Sequence, residues 1–206
     1  FVYGLLMSNL PTGTVTFLFT DIEGSTKFAQ AHPDKWESLR ARHHAILQSA
    51  MDAYNGYVFQ IIGDAFCAAF YTATDALLAT LKSQVDLHKE NDGNALVKVR
   101  MGIHTGKAEL LESGDYQGYI TLSRAQRLMS AGHGGQVLIS LATQELVRDE
   151  LPEVVVTAKR LPKTATRAGE GGRDATPTGV SLTAVAVVVA QAVVHQLEVV
   201  EVEEQD

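Results

Sequence analysis

The chain has 206 residues, 46% of them hydrophobic and 20% charged, with 24 acidic side chains against 17 lysines and arginines. This is one domain of ordinary size with extra segments and ample core material, and the net charge of -7 excludes nucleic-acid binding through a broad basic surface. The single cysteine, Cys67, rules out an internal disulfide and accords with a reducing, cytoplasmic setting. No stretch reads as a membrane span: Val180 to Val194 is short for a bilayer and is interrupted by Ser181, Thr183 and Gln191. Phe1 to Leu6 lack the charged flank of a signal peptide, and Met7-Ser8 reads as a start, so residues 1–9 are expected to be an N-terminal extension.

Along the chain, Thr14 to Phe19 reads as a buried strand after the Pro11-Thr12-Gly13 turn. Gly24-Ser25-Thr26 then reads as the start of a helix. Pro33-Asp34 opens another helix, in which Trp36, Leu39, His43, Ile46, Leu47 and Ala50 recur at helical spacing, ending near Asn55-Gly56. Tyr57 to Ile62 and Ala65 to Tyr71 form a hairpin with Asp64 at its tip. Thr72 and Asp75 pair as a cap for a helix with the stripe Leu77, Leu78, Leu81 and Val85, which Asn91 to Asn94 stop. Val97 to Ile103 alternate as a half-buried strand, and Thr105-Gly106 is expected to turn it into a second short strand reaching Leu111. A helix follows over Tyr119 to Ala131. Val137 to Ile139 is a strand, Ser140 caps a further helix, and Val154 to Val156 is a candidate last strand. Strands, helices and hairpins in this order predict an α+β, ferredoxin-like sandwich: a mostly antiparallel sheet flanked by helices.

From Val154 onward Phe, Tyr, Trp, Ile, Met, Asn and Cys are missing. That bias suits a flexible linker, and equally a high-GC gene read out of frame. The expected organisation is therefore an extension over residues 1–9, a catalytic domain over 10–157 and a low-complexity segment over 158–206.

Two places carry chemistry. Each of Phe17 to Asp21 and Ile61 to Asp64 is an apolar run that delivers a carboxylate beside a glycine. Carboxylates at the ends of buried strands require a cation, and Gly24-Ser25-Thr26 after the first is suited to a phosphate. Metal with phosphate points to nucleotide chemistry. His104 reads as structural, Cys67 as a small core residue, and His43-His44 cannot present one helical face to a metal.

Taken together, Phe19-Thr20-Asp21-Ile22-Glu23-Gly24-Ser25-Thr26, Gly63-Asp64-Ala65-Phe66, Arg100-Met101-Gly102-Ile103-His104-Thr105-Gly106 and Arg124-Ala125-Gln126-Arg127-Leu128 resemble the class III nucleotidyl cyclases, in particular bacterial adenylate-cyclase-type domains, over Leu10 to Pro152. The resemblance implies an adenylate cyclase of intracellular signalling, a homodimer with shared active sites that converts ATP to 3′,5′-cyclic AMP and pyrophosphate. It implies two Mg²⁺ or Mn²⁺ ions per site, held by Asp21, Asp64 and the Ile22 carbonyl, with the amides of Ile22 to Thr26 (Gly24, Ser25 and Thr26 among them) on the phosphates. Arg100 matches a phosphate-contacting arginine. From the opposite subunit, Arg127 matches the arginine that stabilises transition-state charge. Ser123 stands where the family usually has a ribose-orienting asparagine. Asp115 and Gln60 occupy the purine-selecting positions, Gln60 where adenylate cyclases usually carry lysine. Glutamine can still donate to adenine N1 and accept from its amino group. Only Lys159 and Lys163 lie near the place of the family's phosphate-binding lysine, and neither sits in its motif. The alternative is a cyclase-fold nucleotide-binding or dimerisation module with little turnover. Gly63-Asp64-Ala65-Phe66 lacks the double glycine and second acid of a diguanylate cyclase.

Overall fold

The computed structural model describes residues 10–90, 97–148 and 184–188. Its strands are β1 (Gly13–Ile22), β2 (Tyr57–Ile62), β3 (Ala65–Phe70), β4 (Val99–Leu110), β5 (Tyr116–Gln117), β6 (Gln136–Ser140) and β7 (Ala184–Val188). Its helices are α1 (Ser25–Ala31), α2 (Pro33–Ala53), α3 (Ala73–Glu90), α4 (Tyr119–Ala131) and α5 (Leu141–Val147). The main sheet runs β2-β3-β1-β4-β6-β7, with β5 paired to β4. Every pairing is antiparallel except β4 with β6. This is the expected α+β sandwich.

Alternation along β1 sorts the core into two layers. Leu18 and Ile22 face one side with Met101 and Ile103, where Leu47 and Met51 of α2 and Leu77 and Leu87 of α3 close over them. Val15, Phe17 and Phe19 face the other with Tyr116, and there Ala125 and Met129 of α4 complete the packing. Each fully buried Phe, Leu or Met contributes roughly 1.5–3 kcal/mol on removal from water.

Several local readings are corrected. Thr105-Gly106 does not turn the chain. β4 is one strand of 12 residues that stays in register with β1 from Ile22↔Val99 to Gly13↔Ala108. A Cβ at Gly106 would lie 2.8 Å from the Thr121 side chain, and one at Gly102 would lie 2.3 Å from the Met129 backbone nitrogen. These glycines let α4 sit directly on the strand. The stripe of α3 is only partly as expected: Leu77 is buried and Leu81 packs against the core, but Leu78 is exposed, while Ala76, Thr80, Ser83, Gln84 and Leu87 are buried. The small polar members pack because their hydroxyls bond back to the Ala76 and Ala79 carbonyls, and Gln84 donates to the Val99 carbonyl at 2.8 Å. Thr72 caps α3 as expected, accepting from the Asp75 amide at 3.0 Å, and Ser140 caps α5.

Within the C-terminal stretch, β7 lies antiparallel to β6 from Gln136↔Val188 to Ser140↔Ala184. Residues 1–6, the Asn91–Asn94 stop, Val154–Val156, Lys159 and Lys163 lie outside the described residues. Cys67 is buried, and burial pushes its thiol up to about 11. His104 is buried too. Burial and then the nearby Arg124 charge push it down to about 4, which fits its structural reading.

His43 is 2% exposed, with neither ring nitrogen hydrogen-bonded among the described residues. Burial, then the neighbouring His44, lowers it to about 4. Between pH 6.5 and 4 the unfolded chain therefore binds a proton at this position that the folded chain refuses, so stability falls as pH drops through that window. His43→Leu is expected to reduce the loss between pH 7 and pH 4 by on the order of 2–3 kcal/mol, read from urea midpoints at the two pH values. Gly102→Ala is expected to cost roughly 1–3 kcal/mol through overpacking against α4, seen as a lower thermal midpoint.

Candidate active site

β1 ends in a charged pair. Asp21 and Arg100 are register partners on β1 and β4. The Arg100 Nε and Nη2 donate to Asp21 Oδ2 at 2.9 and 2.5 Å, and both side chains are half-buried. Directly paired residues share a sheet face, which here is the face carrying Phe19 and Gly102 under α4. Arg100, read from sequence as a phosphate contact, thus sits on an aspartate of its own chain. Removing either member would leave the other charge partly desolvated and uncompensated.

The β2–β3 turn brings in the second carboxylate. Gly63 takes φ 63°, the left-handed region open to glycine, and Asp64, next in the chain, is 9% exposed. Its Oδ2 accepts from the Ile22 amide at 2.9 Å, which sets it beside the peptide that follows Asp21. The two aspartates lie 43 positions apart; the β1–β3 pairing brings their strand ends side by side, and this bond fixes the Asp64 carboxylate there.

The donor set fits a hard divalent ion. Each aspartate has Oδ2 engaged and takes no hydrogen bond on Oδ1 among the described residues. Those residues hold no group of three His, Cys, Asp or Glu suited to a metal. Two carboxylates suffice for magnesium, which completes its shell with water and substrate phosphates rather than with a protein cage.

Beyond Ile22 the chain turns through Gly24, at φ 73°, into α1. The Ile22 amide is taken by Asp64 and the Glu23 amide by the Lys98 carbonyl. That narrows the available phosphate donors to Gly24, Ser25 and Thr26 at the mouth of the helix. A cavity of about 360 Å³ opens here, lined by Ser25, Thr26, Ala29, Gln30, Trp36 and Asp64. A larger one, about 550 Å³, lies at the opposite end of β1, away from Asp64, where Asp75 accepts from Thr72 and Asp52 from Gln48. Asp64 is the carboxylate that lines the smaller cavity.

The remaining sequence candidates lie elsewhere. Gln60 is exposed on the edge strand β2, beside a register shift. Asp115 is exposed in the β4–β5 turn, where its carboxylate accepts from Ser113. Ser123 and Arg127 share the outer face of α4, and among the described residues neither makes a hydrogen bond or ion pair with Asp21 or Asp64. Ser123 Oγ donates to the Ile120 carbonyl at 3.1 Å. Sequence reasoning missed Trp36 as a wall of the cavity, having read it only as a core position of its helix.

A family model described as the adenylate and guanylate cyclase catalytic domain matches residues 7–166. The chain belongs to that family. An uncharacterized protein of Mycobacterium tuberculosis is 38% identical over 152 residues, covering 72% of this chain and 50% of the relative. A receptor-type adenylate cyclase of Trypanosoma equiperdum is 30% identical over 190 residues, covering 71% of this chain and 40% of the relative. The chain spans half or less of the length of these relatives. Among solved structures, adenylate cyclases of Trypanosoma brucei in their monomeric state match at TM-score 0.59 and 28% identity, covering 66% of this chain and 77% of theirs. The adenylyl cyclase CyaB of P. aeruginosa matches at TM-score 0.59 and 20% identity, covering 71% and 84%, a likeness of fold. No helix among the described residues of this cyclase domain is long and apolar enough to cross a membrane.

Trp36 is the single tryptophan of the chain and lines the same cavity as Asp64. Titration with Mn²⁺ and ATP is therefore expected to quench its emission, and Asp64→Ala is expected to abolish the saturable part of that quenching.

Proposed function

We propose that this cyclase domain converts ATP to 3′,5′-cyclic AMP and pyrophosphate in a homodimer, and that it does so inside the cell as part of signalling. The observation that carries the reading is the pairing of Asp21 and Asp64 through the Ile22 amide, with a free oxygen on each. These two side chains and the Ile22 carbonyl would hold Mg²⁺ or Mn²⁺, two ions per site. When bound, such ions supply Lewis acidity toward a hydroxyl and a triphosphate.

The chain's own residues supply the rest. The amides of Gly24, Ser25 and Thr26 bind phosphate oxygens at the start of α1. Arg100 orients Asp21 through its Nε and Nη2, and its Nη1 remains to reach a phosphate. The ribose 3′-oxygen bonds to the α-phosphorus as the bond to the pyrophosphate oxygen breaks, and the hydroxyl proton leaves to solvent. Ser123 and Arg127 act on the site of a second copy, Arg127 on the charge that develops at phosphorus. Their position on the outer face of α4, with no hydrogen bond or ion pair to Asp21 or Asp64 of the same chain, supports a shared site. So do apolar side chains left exposed near these elements, Ile62 at 61% and Tyr119 at 83%. Gln60 and Asp115 read the base.

A second reading is a nucleotide-binding or dimerisation module with little turnover. It is favoured by Ser123, whose hydroxyl already donates within its own helix, and by Gln60 in place of the lysine that adenylate cyclases usually carry.

The test is product formation from ATP and from GTP, with Mg²⁺ and with Mn²⁺. Cyclic AMP formation is expected, at least 100-fold reduced in Asp64→Ala and roughly 10²–10³-fold reduced in Arg127→Ala. Mixing the two inactive variants is expected to restore about a quarter of the wild-type rate, because half of the dimers are mixed and each of those has one intact site. Nucleotide binding without product from either nucleotide would select the second reading. Failure of the mixture to recover would remove the shared site.

A further inference from the structure

We propose that His44 is a positioning residue for Asp64, acting through the backbone of the turn that carries it. The inference rests on the reading of Asp64 as a metal ligand, and its geometry stands apart from that reading. The β2–β3 turn is short and lies beyond the last β1–β3 register pair, Phe19↔Cys67. It joins an edge strand whose last residues, Ile61 and Ile62, are exposed, and Gly63 imposes no preference of its own on the chain. The placement of the Asp64 carboxylate against the Ile22 amide therefore needs a restraint from outside the hairpin.

Two groups supply it. On the sheet side, Thr20 Oγ1 accepts from the Phe66 amide at 3.2 Å. On the helix side, His44 of α2 lies with Nε2 3.0 Å from the Gly63 carbonyl oxygen. A carbonyl only accepts, so Nε2 carries the proton and donates. The ring is fixed for this purpose. It meets Phe66 edge-on at 5.1 Å, while His43 meets the same Phe66 edge-on at 6.0 Å. The helix that bears both is anchored by Leu47, Ala50 and Met51, all fully buried. His44 thus holds the carbonyl immediately before Asp64 from a rigid base. His44 touches neither a metal nor a substrate, and its contribution passes through Gly63.

Amide exchange at Ile22 reads this directly, because that N–H is held by Asp64 Oδ2 rather than by a strand partner. His44→Leu keeps an apolar side chain against Phe66 and removes the donor, whereas His44→Gln keeps an N–H donor at similar reach. By NMR on the full chain, His44→Leu is expected to speed Ile22 exchange about tenfold, the effect of losing one hydrogen bond. Phe17 and Leu18 should stay at the wild-type rate, and His44→Gln should restore Ile22. Wild-type exchange at Ile22 in His44→Leu would overturn the proposal. Equal acceleration in the Leu and Gln variants would overturn it too, since packing rather than the donor would then be responsible. In the cyclase assay, His44→Leu is expected to need about tenfold more Mn²⁺ for half-maximal rate at unchanged nucleotide KM. Lack of wild-type turnover would count against the proposed activity and leave the exchange result to decide the role of His44.

Discussion

The hydrogen bond from the Ile22 amide to Asp64 Oδ2 completes an approach that sheet register begins, because β1 and β3 pair as far as Phe19↔Cys67 and the same register runs on toward Ile22 and Asp64. β1 is central, flanked by β3 and β4, and the turn carrying Asp64 joins the edge strand β2 to β3 just beyond the last β1–β3 register pair. One backbone donor at the end of the central strand captures the carboxylate from that hairpin, and the arrangement around it follows. Asp64 lines the cavity, the Glu23 amide is held at Lys98, and Gly24 turns the chain into α1. Arg100 balances the other carboxylate across β4. Without the Ile22 bond, Asp64 would be a nearly buried acid with no donor, a costly position.

Most elements are legible in the sequence because their signals are local. Thr72 with Asp75, Ser140, and the periodicity of Tyr119 to Ala131 each act within a few residues, and the structure places those elements where the signals put them. Misreadings arise where one residue type serves two ends. Gly106 looks like a turn, yet its purpose is to let α4 approach a continuous strand. Leucines suggest the buried stripe of α3, yet the face pressed on the sheet favours small side chains and hydroxyls that satisfy themselves.

The site is legible to a different degree. Asp21 and Asp64 stand out because acids that end apolar runs demand an explanation, and folding brings them together. The pairing of Arg100 with Asp21 depends on register between distant strands, and the contact of His44 with Gly63 depends on how a helix lies over a turn. Neither has a local signature. Gln60, Asp115, Ser123 and Arg127 were legible only through resemblance to the cyclase family, since nothing in their immediate surroundings within one chain marks them out.

The seating of α4 on Gly102 and Gly106 has a consequence for how that surface can vary. A helix that rests backbone on backbone at Gly102 and through the Thr121 side chain at Gly106 has little freedom to roll or slide, because each glycine leaves room for one close approach. Its outward residues therefore project in directions fixed from beneath. Exchanges at positions 123 and 127 alter the length and polarity of a side chain without re-aiming it. The outer surface of this helix is thus open to chemical change at small cost to the fold, while the two bare backbone positions under it are not.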